Sequence, residues 1–374
     1  MENKSIQRIV LTGGPCAGKT TALAKLEQTL SNLGYKVVVV PEAATMLIGS
    51  GIRPKPDDNR EFQKRVFEAQ IALEEIWTRH CEECDDKKII LLFDRGIMDS
   101  KAYCSALLWS QLLKGDSVSE VALRDKRYDA VFHLVTAAKG AEEFYTLATN
   151  AARCETAEQA RTADTKTLRA WTGHPHLRMI DNSSNFDGKM LKLLQEVTHF
   201  LGEPQPFEIE RKFLIENPQA YLDRCDNCTK VEILQTYLKS DHPNEEVRVR
   251  QRGIDGEYQY TKTTKRQLSG ATRFETEERI TQQEYLTLLM EADPKLKPVR
   301  KTRYCLIHEN QYLEVDIYPG SQNAILEVEL SHEDQDIIFP LYLSIIKEVT
   351  EDKRFKNNSL AKEFPEELRM GQDF

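Results

Sequence analysis

The sequence predicts two domains: an α/β domain with a parallel sheet of strand order 2-3-1-4-5, then an α+β domain built on an antiparallel barrel. Three observations lead to this prediction. A glycine-rich segment stands between a short apolar run and a helical pattern near the start of the chain. Further apolar runs alternate with helical patterns over the first half of the chain. In the second half, charged and apolar residues alternate with a period of two, as in antiparallel strands.

Composition fits a globular protein with room for two domains. The chain has 374 residues, 30% of them charged and 40% hydrophobic, and a formal net charge of -9. This charge argues against general nucleic-acid binding, and no apolar run approaches the ~20 residues of a membrane span. Because no secretory apolar region precedes the first strand, we expect a cytoplasmic protein. The CxxC pairs Cys81/Cys84 and Cys225/Cys228 have no second pair nearby, so we expect free thiols rather than zinc.

Residues 13–20 carry the motif that predicts nucleotide binding. They follow the apolar run 8–11 and precede a helical pattern, which is the strand, loop and helix order of a Walker A loop. Backbone N–H groups of such a loop surround the phosphate oxygens, and the N-terminus of the following helix adds partial positive charge beside them. We expect Lys19 to contact the outer phosphates and Thr20 to bind Mg²⁺. The predicted nucleotide-binding residues of this segment are Gly13, Gly14, Pro15, Cys16, Ala17, Gly18, Lys19, Thr20 and Thr21.

Charged residues follow the second and third predicted strands. Glu42 comes after the β-branched run 36–40 and is a candidate base or substrate ligand, with a solvated loop acid as the alternative. Asp94 follows the apolar run 88–93 and suits Mg²⁺ binding, with a helix-capping acid as the alternative. Arg95 is then placed to contact phosphate or substrate. These three residues are the predicted catalytic set of the first domain.

Arg153, Arg161 and Arg169 lie between the fourth and fifth predicted strands, and the site candidates among them are Arg161 and Arg169. In small-molecule phosphotransferases that region is a lid whose arginines neutralise the transferred phosphate, and we count both among the nucleotide-binding candidates. Salt bridges along a helix face are the alternative. The element order resembles the nucleoside and nucleotide kinase branch of P-loop proteins. No Asn-Lys-x-Asp motif is present, so the choice between GTP and ATP stays open.

A linker at 203–206 separates the predicted domains, 1–202 and 207–374. In the second domain the alternating charges occur in clusters of both signs. We interpret them as the interior of a closed or nearly closed barrel, the alternative being a sheet with a salt-bridged solvent face. Interior carboxylates would bind Mg²⁺ or Mn²⁺, and basic side chains would bind phosphate oxygens. The acids are Glu208, Glu210, Glu275, Glu277, Glu314, Asp316, Glu327 and Glu329; the basic residues are Lys212, Arg248, Arg250, Lys262, Lys301 and Arg303.

The motif Glu208-x-Glu210-x-Lys212 resembles the signature of the CYTH, or triphosphate tunnel metalloenzyme, superfamily, and the resemblance extends over about residues 207–362. It implies that Glu208, Glu210, Glu327 and Glu329 are metal ligands and that Lys353 joins the triphosphate-binding residues. Members hydrolyse inorganic triphosphate, thiamine triphosphate or RNA 5′-triphosphate, or cyclise ATP. In some members the position of Lys212 is tied to substrate choice, and we include Lys212 among the candidate catalytic residues.

Nearly the whole chain resembles the TRPL translocation defect protein family. The resemblance rests on segments 11–21, 40–45 and 171–177 and on the order of the two domains. It implies GTP binding, binding of phosphatidic acid or phosphoinositides, peripheral membrane contact and regulation of the membrane traffic of an ion channel. The alternative is a bifunctional enzyme, with a metal-dependent triphosphatase in the tunnel and a small-molecule kinase in the P-loop domain.

Overall fold

The computed structural model describes residues 4–55, 58–142, 156–202, 209–240, 242, 245–269, 272–309, 311–330 and 336–369, without the side chains of 209, 266–269 and 272–276. The chain divides into two compact units, Met1–Pro206 and Phe207–Phe374. Every cysteine in the described part is a free thiol. None of the described helices is both long and apolar enough to cross a membrane.

The first unit is built on a five-stranded parallel sheet. Its order, β2-β3-β1-β4-β5, confirms the predicted order. Ile9, Leu92 and Phe132 of the central strands are fully buried, because helices cover both faces of a parallel sheet. The strands are β1 (Ser5–Gly13), β2 (Lys36–Val40), β3 (Lys88–Asp94), β4 (Ala130–Leu134) and β5 (Leu177–Ile180). The helices are α1 (Lys19–Asn32), α2 (Ala43–Gly49), α3 (Arg60–Glu83), α4 (Asp99–Tyr103), α5 (Ala106–Gly115), α6 (Ala157–Trp171) and α7 (Phe186–Phe200), with a π-helical turn at Ala122–Lys126.

The second unit is built on a nine-stranded antiparallel sheet, consistent with the predicted tunnel barrel. Its order is β10-β9-β8-β7-β11-β12-β13-β6-β14. The strands are β6 (Ile209–Glu216), β7 (Cys228–Leu238), β8 (Glu245–Ile254), β9 (Glu257–Ser269), β10 (Thr272–Ile280), β11 (Val299–His308), β12 (Gln311–Ile317), β13 (Asn323–Leu330) and β14 (Ile345–Glu348). Short helices α8 (Gln219–Leu222), α9 (Gln282–Leu288) and α10 (Asn357–Lys362) and three 3₁₀ turns (Leu289–Glu291, Lys353–Phe355 and Glu366–Leu368) complete it.

Apolar residues that alternate with the charged ones form the hydrophobic core on the other face of this sheet. Phe213, Val315 and Leu326 pack there with Leu222 of α8. Further along the sheet, Val249 packs with Tyr285 of α9. The period-two alternation therefore separates a face that packs under helices from a face that carries charge.

Candidate functional site

The Walker A loop connects β1 to α1 in the first unit. Gly13 has a φ of +148°, and a Cβ there would lie 2.2 Å from the carbonyl oxygen of Leu134, so only glycine fits. Gly18 precedes α1 and offers no side chain to cap it. The first N–H groups of a helix have no intrahelical partner, so Lys19, Thr20 and Thr21 present theirs to the loop. This arrangement suits an anion.

Lys19 is buried at the centre of the loop. Its Nζ lies 3.4 Å from the carbonyl oxygen of Gly13 and 3.5 Å from that of Gly14. Burial and the nearby Arg95 guanidinium lower the pKa of Lys19 to about 8. A bound phosphate would restore the stability of the charged ammonium, because an opposite charge favours the ionised form.

Glu42, Asp94 and Arg95 come together at the carboxyl edge of the parallel sheet, as expected. Arg95 Nε donates to Glu42 Oε1 at 2.7 Å, and the Arg95 backbone has a φ of +69°. Although burial acts to raise the pKa of Glu42, Arg95 and Lys19 hold it below its usual value. Burial raises the pKa of Asp94, whose buried Oδ1 has no hydrogen-bond partner in the described part of the chain. A carboxylate oxygen left in this state is a donor of the kind that Mg²⁺ prefers, and Thr20 in the first turn of α1 carries the hydroxyl predicted to bind the same ion.

Asp99 belongs to the same cluster, although the sequence predictions do not include it. It is buried in the first turn of α4, where its Oδ1 accepts hydrogen bonds from Thr12 Oγ1 at 2.7 Å and from Trp171 Nε1 at 2.6 Å. Arg95 Nη1 lies 3.3 Å from Asp99 Oδ2. The i,i+4 spacing from Arg95 was the available sequence signal.

The two arginines of α6 differ in their surroundings. Arg161 Nη1 donates to the carbonyl oxygen of Ala138 at 2.8 Å, in the segment that follows β4. Arg169 is exposed, and Arg153 falls outside the residues that the structure describes. The structure therefore places one of the two predicted arginines against an ordered loop and the other in solvent.

The charged face of the second unit is assembled by strand register. Across neighbouring strands Lys212 lies opposite Glu327, Glu327 opposite Glu314, and Arg303 opposite Asp316. Further along the sheet Arg250 lies opposite Thr261. Predicted residues whose side chains share this face are Glu210, Lys212, Arg248, Arg250, Glu277, Lys301, Arg303, Glu314, Asp316, Glu327 and Glu329.

Lys212 connects two candidate metal ligands. Its Nζ lies 3.1 Å from Glu210 Oε1 and 2.5 Å from Glu327 Oε1. Burial and the neighbouring Glu327 raise the pKa of Glu210 to about 7. The pKa of Glu327 shifts in the opposite direction. Burial acts to raise it, but the cations Arg303, Lys301 and Lys212 hold it well below its usual value. We assign the charge of this pair to Glu327, because it has the more numerous cationic neighbours.

Arg303 and Lys301 hold the carboxylates next to them. Arg303 Nε and Nη2 donate to the two oxygens of Asp316 at 2.6 and 2.7 Å, and the same guanidinium contacts Glu314 and Glu327. Lys301 also contacts Asp316, which is fully buried. Among the described residues, no three His, Cys, Asp or Glu side chains form a ready-made metal site.

Arg250 is a weakly paired cation on the charged face. Its nearest acid is Glu277, whose Oε2 lies 3.9 Å from Nη1. Its Nε is buried and has no hydrogen-bond partner among the residues that the structure describes. Burial and the flanking Arg248 lower the pKa of Arg250 to about 10. Such a guanidinium favours an anion at this point, because the anion would satisfy both its charge and its donors.

Two predicted phosphate ligands lie elsewhere. Lys262 is on the opposite face of β9 from Thr261 and lies 3.6 Å from Glu278, because side chains alternate along a strand. Lys353 is exposed in the 3₁₀ turn after β14. Glu329 shares the charged face but is exposed. Glu208 and the side chain of Glu275 lie outside the described residues.

The predictions also omit Arg252, which shares the charged face. It lies opposite Gln259 on β9 and Ile233 on β7, and it is buried. The alternation through Arg248 and Arg250 was the sequence signal that could have included it.

Comparisons with known proteins agree with this division of the chain. Residues 8–189 match the family model described as an AAA domain. The C-terminal part is 37% identical over 166 residues to an inorganic triphosphatase of Nitrosomonas europaea, covering 42% of this chain and 99% of the relative. A crystal structure of an inorganic triphosphatase is 32% identical, with 43% of this chain and 98% of that chain covered and a TM-score of 0.33. A conserved hypothetical protein from Pyrococcus furiosus is 19% identical, with 34% and 81% covered and a TM-score of 0.26.

Proposed function

The chain belongs, through its second unit, to the CYTH family of the Nitrosomonas inorganic triphosphatase, and from this membership we propose that the unit hydrolyses inorganic triphosphate with a divalent metal ion. The observation that carries the proposal is the state of the charged face. It holds Arg250, whose buried Nε has no hydrogen-bond partner within the described residues, and carboxylates whose charges are balanced by neighbouring basic side chains. A triphosphate with its metal would supply the missing charges of both signs.

Glu210, Glu327 and Glu329 would hold the metal, together with Glu208. Carboxylate oxygens are the donors that Mg²⁺ and Mn²⁺ prefer, so the residues present fit such an ion. A bound ion would neutralise phosphate charge and acidify a water molecule. Arg248, Arg250 and Arg303 would orient the phosphate oxygens.

Phosphate release tests this proposal directly. Inorganic triphosphate, ATP and GTP are each supplied with Mg²⁺ or Mn²⁺ to the wild type, Glu210→Gln and Lys19→Ala. We expect triphosphate turnover to fall in Glu210→Gln and to persist in Lys19→Ala. Glu232→Gln is the matched control, because Glu232 is an exposed acid on β7 whose partner is Tyr258. Loss of turnover in the control, or wild-type turnover in Glu210→Gln, would reject the assignment.

For the first unit we propose binding of a nucleoside triphosphate, GTP or ATP, and transfer of its outer phosphoryl group to a small acceptor. The support is the cluster of Glu42, Arg95 and Asp99 around Lys19. The acceptor would contact Glu42 at the crevice outside the strands. A screen for nucleotide-dependent phosphorylation of small alcohols tests this, with Glu42→Gln as the variant that should lose transfer and keep nucleotide binding.

GTP preference, binding of phosphatidic acid or phosphoinositides, a peripheral membrane location and regulation of channel traffic stay predictions from the TRPL translocation resemblance. Lipid binding requires an anionic headgroup to reach basic side chains, and the charged face of the second unit carries basic side chains among its acids. Cosedimentation with vesicles that contain phosphatidic acid, compared with neutral vesicles at physiological salt, tests lipid binding. Equal sedimentation with both would argue against it.

A further inference from the structure

One buried carboxylate of the first unit has no part in the proposed chemistry. Asp164, on α6, is fully buried. Its Oδ1 accepts the backbone N–H of Gly14 in the Walker A loop at 3.0 Å and the backbone N–H of Thr136 at 3.1 Å. A helix that is remote in the sequence therefore contacts the loop directly.

Two basic side chains complete the surroundings of Asp164. His133 Nε2 lies 3.0 Å from Oδ1, and Lys139 Nζ lies 3.0 Å from Oδ2. Because a carboxylate only accepts, the proton of this contact is on His133 Nε2. Burial acts to raise the pKa of Asp164, but His133 and Lys139 hold it well below its usual value. The carboxylate is thus charged and supplied with four donors, as a buried charge requires.

The segment that follows β4 holds the next two residues of the loop. Thr136 Oγ1 donates to the carbonyl oxygen of Pro15, and the Ala137 N–H donates to that of Cys16 at 3.2 Å. At Gly14 the approach is close: a Cβ would lie 2.6 Å from the Cβ of Asp164. Residues 14, 15 and 16 are therefore each fixed from outside the loop, immediately before the residues whose N–H groups face the phosphate.

We propose that Asp164 is a positioning residue, which holds the Walker A loop in its nucleotide-binding shape through the Gly14 N–H. The proposal rests on nucleotide binding by the first unit. Asp164 does not touch the nucleotide in this arrangement. It acts through the backbone, so its loss should lower affinity and loosen the loop while Lys19 stays in place.

Calorimetric titration with MgATP and with MgGTP tests the affinity. Loss of a charge-assisted hydrogen bond should weaken binding by about 10-fold in Asp164→Ala. Asp164→Asn keeps an oxygen for both backbone donors, so we expect it to recover part of the affinity. Asp187→Asn is the charge-matched control, because Asp187 is exposed on α7 and forms a long surface ion pair with Lys25 at 3.5 Å.

Hydrogen exchange supplies a readout that a general loss of stability would not reproduce. In Asp164→Ala the peptide that covers 13–18 should exchange faster, while peptides from β1 and α7 keep wild-type protection. Wild-type affinity together with unchanged exchange at 13–18 would overturn the proposal.

If Asp164→Ala unfolds the unit, Asp164→Leu decides, since it keeps most of the side-chain volume at this buried position and removes both acceptor oxygens. Weaker binding with faster exchange at 13–18 then supports the proposal, and wild-type values overturn it. If the wild type binds neither nucleotide, nucleotide binding is rejected, while the exchange result still decides whether Asp164 holds the loop.

Discussion

The two units present phosphate-binding groups in opposite ways. In the first unit the donors are backbone N–H groups and one lysine of the segment 13–20, which runs from the end of β1 to the first turn of α1. In the second unit the groups are side chains that come from six strands of one sheet. The loop depends on local backbone shape, whereas the charged face depends on the register of strands far apart in the sequence.

The difference extends to how each site is stabilised without a ligand. Lys19 has only long contacts to carbonyl oxygens of its own loop, and its charge is disfavoured by burial. On the charged face, Arg303 and Lys212 are instead paired with carboxylates. A ligand therefore adds new interactions in the loop. On the charged face it must replace the close ion pairs of Lys212 and Arg303, whereas at Arg250 it competes only with a long one.

The largest expected effect comes from Arg250, whose nearest described acid, Glu277, is 3.9 Å away. Arg250→Met keeps much of the side-chain volume and removes the charge, so triphosphate hydrolysis should fall by roughly 100-fold, as when one stabilising donor is removed from an active site. Steady-state phosphate release measures this. The matched control is Arg300→Met, because Arg300 is exposed and next to Lys301 on β11, on the other face. Equal losses in both variants would mean that facing the tunnel does not matter.

The second effect concerns the loop. Lys19→Ala should weaken binding of MgATP and MgGTP by about 10-fold or more, since a charge-assisted contact to phosphate is lost. Triphosphate hydrolysis by the second unit should be unchanged. Titration calorimetry and phosphate release on the same sample measure both. A joint loss of the two activities would contradict independent sites and would make the two sites one functional unit.

The comparison also explains what the sequence could predict. The Walker A loop and the strand order follow from local patterns, namely glycine spacing and apolar runs, and the order is confirmed. Strand β7 escaped prediction because its inward residues Val231, Ile233 and Gln235 carry no charge. Lys262 was predicted on the charged face, but the register places Thr261 there, opposite Arg250. The sign of a residue's charge does not reveal which face of the strand its side chain occupies. The contact of Asp164 with Gly14 joins residues 150 positions apart, and no local pattern encodes it.

A smaller effect is expected in stability. The pKa of Glu210 is about 7 in the folded protein, above its usual 4.5, so the folded state binds more protons between these values. Stability from this group therefore falls as pH rises from 4.5 to 7. In the absence of metal, the Tm of Glu210→Gln minus the Tm of the wild type should therefore increase by about 3 °C from pH 5 to pH 8. The shift is modest because the Glu210 side chain is 36% exposed.

Thermal unfolding by circular dichroism at both pH values measures that difference. Mg²⁺ should then raise the Tm of the wild type at pH 8 more than that of Glu210→Gln, because the carboxylate is needed for the ion. A Tm difference that is the same at pH 5 and pH 8 would contradict the assigned pKa and the crowding of Glu210 by Glu327.

The smallest effect gives the sharpest test of the register. Lys262 pairs with Glu278 on the outer face, so Lys262→Ala should change triphosphate hydrolysis by less than about twofold, as for an exposed ion pair. Arg250→Met, one strand away, supplies the contrast on the same assay. A loss as large as that of Arg250→Met would mean that Lys262 reaches the ligand, which requires β9 to be shifted by one residue against β8. That shift would turn Thr261 outward and would replace a neutral position of the charged face with a cation.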